Sequence, residues 1–135
     1  ADYIQQTGEY RFELMPIDSM EEKASADSDL LEFKLNLQRQ DGADLVAYDG
    51  VKELIQSRIY YYSYRINEAI YLEQENHRSQ VSFCHFERSF DLKKGRNFML
   101  AFDKSSVNVS KPYQLVIDSD LLKTGPVKFK ITPNS

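Results

Sequence analysis

Cys84 and His85 are the residues best equipped for chemistry, because a thiolate beside an imidazole is the usual apparatus of nucleophilic catalysis. They sit in a run where Val81, Phe83 and His85 alternate with Ser82, Cys84 and Phe86. Successive strand side chains point to opposite faces, so the two groups should diverge, and the pair reads as a structural thiol beside a half-exposed histidine. His77 with Glu73 and Glu75 offers nitrogen and oxygen donors to a metal, yet two or three donors in a polar loop do not by themselves converge. Asp27-Ser-Asp29 and Asp118-Ser-Asp120, with Asp41 and Asp44, offer hard oxygens suited to calcium. The EF-hand order of acids, central Gly and terminal Glu is missing, and Asp and Ser at such places also make turns by bonding their own backbone. The carboxylates are too scattered to single out a glycosidase pair, and the sequence has neither a Gly-rich phosphate loop nor a nucleophile elbow. The expectation is a chain with no catalytic residue, no metal site and no cofactor.

The strongest recognition signal is Tyr60, Tyr61, Tyr62 and Tyr64 flanked by Arg58 and Arg65, since Tyr and Arg combine large contact area with polar handles. Read as a strand, Ile59–Ile66 puts Tyr61 with Ile59 and Arg65 on one face, and Tyr60, Tyr62 and Tyr64 with Ile66 on the other. One face must be core. The other is a protein-binding patch, a sugar-stacking platform or a covered part of the same core. Asn108-Val-Ser110 fits a glycosylation sequon, which in a bacterial protein carries no meaning.

The elements that position these residues read mostly as strands. Tyr10, Phe12 and Leu14 alternate with Arg11 and Glu13, and Pro16 ends that strand. The acidic, Ser-rich stretch Asp18–Asp29 reads as a solvated loop. Leu31, Phe33, Leu35 and Leu37 alternate strictly with Glu32, Lys34, Asn36 and Gln38, giving a strand with one wet face. Asp41-Gly42 and Asp49-Gly50 are turn signals, and Val51, Leu54, Ile55 and Ile59 have the spacing of one short helix. The dense aromatic run after Ile59 predicts a central strand, followed by a strand at Ile70 and Leu72 and a polar loop over Glu73–Gln80. Further strands follow at Val81–Phe86, at Phe98, Leu100 and Phe102, and at Tyr113, Leu115 and Ile117. The last, at Val127, Phe129 and Ile131, carries Lys128 and Lys130 between its apolar residues, as an edge strand would. No strand-helix alternation recurs, so residues 1–135 predict a single all-β domain, an antiparallel β-sandwich of about seven to nine strands, immunoglobulin-like or transthyretin-like.

Composition agrees with a folded domain: 135 residues, 41% hydrophobic and 28% charged. One cysteine excludes an intramolecular disulfide and a multi-thiolate zinc site. No apolar run reaches the roughly 18 residues of a membrane span. The net charge is −4, and it divides unevenly: residues 1–53 hold 13 acids against 5 bases, residues 54–135 hold 8 against 12. Such asymmetry predicts acidic and basic elements side by side, or two partner-binding faces, and the acidic total argues against nucleic acid as a partner.

The segment from Phe90 to Phe102 has Leu92, Gly95, Phe98, Leu100 and Phe102 in the order Leu-x-x-Gly-x-x-aromatic-x-apolar-x-apolar. It resembles the turn into a late strand of immunoglobulin-like and fibronectin-like sandwiches, where a Tyr often locks the corner through a hydroxyl that Phe98 lacks. The run Tyr60–Glu73, followed by His85-Phe86-Glu87-Arg88, resembles small surface or periplasmic lipoproteins of Bacteroides-like bacteria. That resemblance implies an exported protein, periplasmic or on the cell surface, with a lipid anchor upstream of Ala1. The functional expectation is a noncatalytic protein-binding or assembly module of the cell envelope. The rival is a carbohydrate-binding module stacking sugars on exposed tyrosines, which the absence of Trp weakens.

Overall fold

Alternation of apolar and polar residues makes strands, and here it makes most of the molecule. The computed structural model describes residues 3–17, 29–87 and 95–133. Among them are nine strands: β1 (Tyr3–Thr7), β2 (Tyr10–Pro16), β3 (Leu30–Arg39), β4 (Ile70–Gln74), β5 (His77–Gln80), β6 (Phe83–Phe86), β7 (Arg96–Asp103), β8 (Tyr113–Ile117) and β9 (Val127–Ile131). One α-helix, α1 (Lys52–Tyr60), precedes β4. Two antiparallel sheets result, ordered β1-β2-β3-β7-β6 and β5-β4-β8-β9, so the chain is the all-β sandwich its patterning predicts. The stretch 18–28, with Asp27, and the corner residue Leu92 lie outside the described residues.

The sheets meet through the faces that alternation makes apolar. Phe12 sits opposite Leu37, Leu14 opposite Leu35, and Leu35 opposite Phe98. Facing them, Ile70 pairs with Ile117 and Leu72 with Leu115, which continues to Phe129. All of these side chains are buried, and each contributes about 1.5–3 kcal/mol over an exposed position. Phe98, Leu100 and Phe102 fill the core as their alternation predicts. Gly95 before them passes so close to β3 that an added Cβ would meet Leu37 O at 3.1 Å.

The two sheets are tied at both margins. Val81 N–H donates to Ile70 O in one sheet, and Ser82 N–H donates to Ala101 O in the other. The chain therefore changes sheet within two residues, and the alternation read across Val81–Phe86 slips there: Val81 is buried, whereas Phe83 and His85 face outward and Phe86 inward. At the other margin, Gln5 Nε2 donates to Lys128 O, bringing β1 beside β9.

Two expectations are corrected, and one strand is added to those foreseen. The polar stretch Glu73–Gln80 is not a loop: β4 and β5 form a hairpin closed by Glu75 and Asn76, both at positive φ, the backbone a tight two-residue turn requires. Strand β1, too polar to show in the pattern, pairs with β2 through a turn at Gly8, whose φ is +62°. The aromatic run after Ile59 is not a central strand. It continues α1 through a π-helical turn (Tyr61–Arg65) and a 3₁₀ turn (Ile66–Ala69). Burial chooses the helix. Ile66 and Tyr62 are buried, and Tyr60 and Tyr64 are exposed, a three-to-four-residue rhythm that a strand of period two cannot satisfy.

β9 is an edge strand, as its lysines predict, with Lys128 and Lys130 exposed beside buried Val127, Phe129 and Ile131. Replacing both lysines with Thr should leave the melting temperature within about 3 °C of the parent. It should also promote concentration-dependent self-association in sedimentation velocity; sedimentation identical to the parent would mean that these charges do not guard the edge.

Candidate functional site

The helical segment closes one end of the sandwich, and its rotation about its own axis decides which side chains meet solvent. Val51 is extended before α1, and Asp49 Oδ1 accepts from its N–H at 3.2 Å. Glu53 in the first turn and Arg58 in the last both complement the helix dipole. Beyond Tyr60 the helix widens, and Ile66 N–H donates to Tyr61 O five residues back. Turns of this kind occur frequently at functional sites. The 3₁₀ turn then delivers the chain into β4.

Tyr62, 2% exposed, plugs the end of the core, with its ring centroid 5.6 Å from both Phe86 and Phe98. Burial lifts its phenol far above the ordinary range. Tyr61 is half-buried and shares a 2.6 Å hydrogen bond with the buried Ser119 Oγ. That bond fastens the helix to the loop between β8 and β9.

Arg58 is 8% exposed. Its Nη1 donates to Val46 O at 2.9 Å and to Asp49 Oδ1 at 2.9 Å, and its Nη2 donates to Asp49 Oδ2 at 2.7 Å. The fork holds the Asp49 carboxyl down at about 2. The same guanidinium lies 4.1 Å from the Tyr48 ring centroid, and that of Arg39 lies 3.9 Å from it. Three arginines from three elements grasp three aspartates of the loop that follows β3: Arg39 holds Asp41 at 2.8 Å, Arg96 holds Asp44 at 3.1 Å, and Arg58 holds Asp49. Asp41 and Asp44 also accept backbone N–H groups of their own turns. They are spent on loop structure, and two of the three pairs join the acidic first half of the chain to the basic second.

Of the six residues with recognition chemistry in the sequence, Arg58 and Tyr62 therefore serve the interior, and Tyr61 is a fastening. Tyr60 and Tyr64 face solvent: they are 55% and 62% exposed, with ring centroids 5.3 Å apart and planes tilted by 53°. Arg65 follows Tyr64 in the chain, its Nη2 3.1 Å from Glu68 Oε1. The strand reading grouped Tyr62 with Tyr60 and Tyr64; the helix separates it from them.

Next to this face is a cleft of about 390 Å³ between the β1–β2 turn at Glu9, Tyr48, the Leu54 and Ser57 side of α1, and the loop carrying Leu121 and Lys123. No single segment of the sequence announces it, because three stretches far apart in the chain, 8–10, 48–58 and 121–123, contribute to it.

The other chemical candidates are not brought together. Cys84 packs against the core, where burial pushes its thiol up to about 12, whereas His85 stacks on Phe83 at 6.3 Å on the outer face. The divergence is the one strand geometry requires. Glu73 faces Arg78 at 3.6 Å and Glu75 faces Lys111 at 4.0 Å, and among the described residues no three His, Cys, Asp or Glu side chains cluster to hold a metal. Asn108 is exposed in a turn where its Oδ1 accepts from Ser110 N–H and Oγ.

Comparison of the chain with family models, curated proteins and solved structures finds no match.

Arg58→Leu should lower stability by about 2 kcal/mol in urea titration, since Val46 O loses its buried donor. The acid limb should change with it. Asp49 titrates near 4 when unfolded and at about 2 when folded, so its contribution is present above about pH 4 and is lost as pH falls toward 2. The variant should lose stability less steeply across that window; an unchanged slope would show that the pair does not carry the acid dependence.

Proposed function

We propose that this chain is a noncatalytic binding module that engages a protein partner through the outer face of its helical cap, centred on Tyr60, Tyr64 and Arg65. The observation that carries this reading is the exposed, mutually packed tyrosine pair on a helix anchored beneath by Tyr62 and Arg58. Aromatic and arginine side chains held rigid before binding lose little entropy on contact, and they dominate interface energetics. The 53° tilt between the rings makes a wedge suited to side chains of a protein surface. A flat platform, which sugar rings prefer, would need the rings nearly coplanar.

The wider setting is part of the same proposal. An exported module acting in the assembly of a bacterial envelope, free or lipid-anchored, is what the likeness to small lipoproteins implies. Support comes from the single-cysteine composition, which needs no disulfide, and from a surface whose chemistry is recognition. No helix among the described residues is long and apolar enough to cross a membrane. The acidic total charge favours a protein over a nucleic-acid partner.

The double variant Tyr60→Ser/Tyr64→Ser tests the reading. Proteins captured from an envelope extract by the parent domain should fall by about tenfold or more, with the melting temperature held within about 2 °C. Undiminished capture would refute the proposal, and parallel loss of folding would reassign the pair to the core. Glycan-array binding that disappears with the same variant would replace the protein partner with a sugar.

A further inference from the structure

A glycine after an aspartate leaves the peptide nitrogen between them unshielded, because no Cβ stands in the way of the carboxyl. The sequence has two such steps, Asp41-Gly42 and Asp49-Gly50, and both fall in the loop between β3 and α1. Each carboxyl is folded back along the chain. Asp41 Oδ1 accepts from Ala43 N–H at 2.9 Å and Asp49 Oδ1 from Val51 N–H at 3.2 Å, which holds each carboxyl beside the glycine peptide that lies between. Arginine holds both carboxyls below the ordinary range, so the supply of the carboxylic acid form, which alone can lose water, does not separate the two steps. Their latches do. The Asp49 side chain is 27% exposed and its partner Arg58 is buried, so moving that carboxyl away strands a buried guanidinium, a costly state. The Asp41 side chain is 54% exposed, and Arg39 on losing it keeps Glu9 at 2.9 Å. The attacking nitrogens differ in the same sense: Gly50 N–H donates to Ala47 O at 3.1 Å, and Gly42 N–H to Arg39 O at 3.3 Å.

We infer that Asp41-Gly42 is a site of isoaspartate formation in the folded protein, and that Arg58 withholds Asp49-Gly50 from the same reaction. The Gly42 nitrogen bonds to Asp41 Cγ, and a carboxyl oxygen leaves as water with the carboxyl proton and the amide proton, closing a succinimide ring. Water then opens the ring. Addition at the main-chain carbonyl of Asp41 leaves the chain running through the former side chain, which is isoaspartate; addition at Cγ restores aspartate. The overall composition is unchanged, and no oxidant, cofactor or enzyme takes part. The product carries its free carboxylate on the α-carbon, the group that isoaspartyl methyltransferases esterify with S-adenosylmethionine. The inference stands apart from the Tyr60–Tyr64 reading, since neither Asp-Gly step includes those residues.

The test ages the whole chain in heavy-oxygen water at neutral pH and body temperature, beside the same chain unfolded in urea. Isoaspartate is counted by methyltransferase labelling and placed by electron-transfer fragmentation of the peptides, and each rate is divided by that of the same step in urea. The quotient for Asp41 should exceed that for Asp49 by at least about fivefold, and each isoaspartyl peptide should carry a heavy oxygen from the ring opening. Arg58→Leu should raise the Asp49 rate at least about threefold and leave the Asp41 rate unchanged. Equal quotients, a faster Asp49, no isoaspartate at Asp41 in the folded protein, or isoaspartate without heavy oxygen would each overturn the inference. A rise at both steps in Arg58→Leu, or at neither, would overturn the role given to Arg58.

Discussion

Two sheets packed face to face leave their apolar interior open at each end, and in this molecule one end is closed by the helical cap, whose Tyr62 is set between Phe86 and Phe98. Much else follows from that placement. Once Tyr62 points inward, helical geometry turns Tyr60 and Tyr64 outward, carries Arg58 under the loop after β3, and aims Leu54 and Ser57 at the cleft. The exposed pair and the cleft are thus consequences of closing the core. The π-helical turn is the adjustment that lets an aromatic plug sit at the right depth and still return the chain to β4.

The loop between β3 and α1 is anchored by Leu45 and Val46 in the core and is further kept in place by charge. Asp41, Asp44 and Asp49 each serve twice, accepting backbone N–H groups within a turn and pairing with an arginine from a neighbouring element. The uneven charge along the sequence is thereby explained in part as folding chemistry, with Asp44–Arg96 and Asp49–Arg58 bridging the two halves.

The strands that carry the core were legible because their alternation is strict: Phe33, Leu35 and Leu37, or Phe98, Leu100 and Phe102, admit one reading. β1 and β5 were not, because Tyr-Ile-Gln-Gln-Thr and His-Arg-Ser-Gln gain their order from pairing with a neighbour. The helical cap was misread for a different reason. β-propensity of the aromatics points to a strand, yet Ile55, Ile59, Tyr62 and Ile66 follow one another at intervals of four, three and four, and that stripe extends the helix already begun at Lys52. Tertiary burial decided in favour of the stripe. Of the recognition residues, the types were legible and the faces were not, since exposure depends on which period the segment adopts. The cleft could not have been read at all, because it exists only where three distant stretches converge.

The pairing of β1 with its neighbours and the contact between Gln5 and Lys128 fix where the ends of the described chain emerge. Val127 lies toward the helical cap, so Ile131 lies at the far end of its sheet, whereas Tyr3 stands in the row of Leu14, Leu35 and Phe98. Any attachment made beyond Ile131, to a surface or to another domain, would leave the Tyr60–Tyr64 face pointing away from the point of attachment and open to whatever approaches from outside.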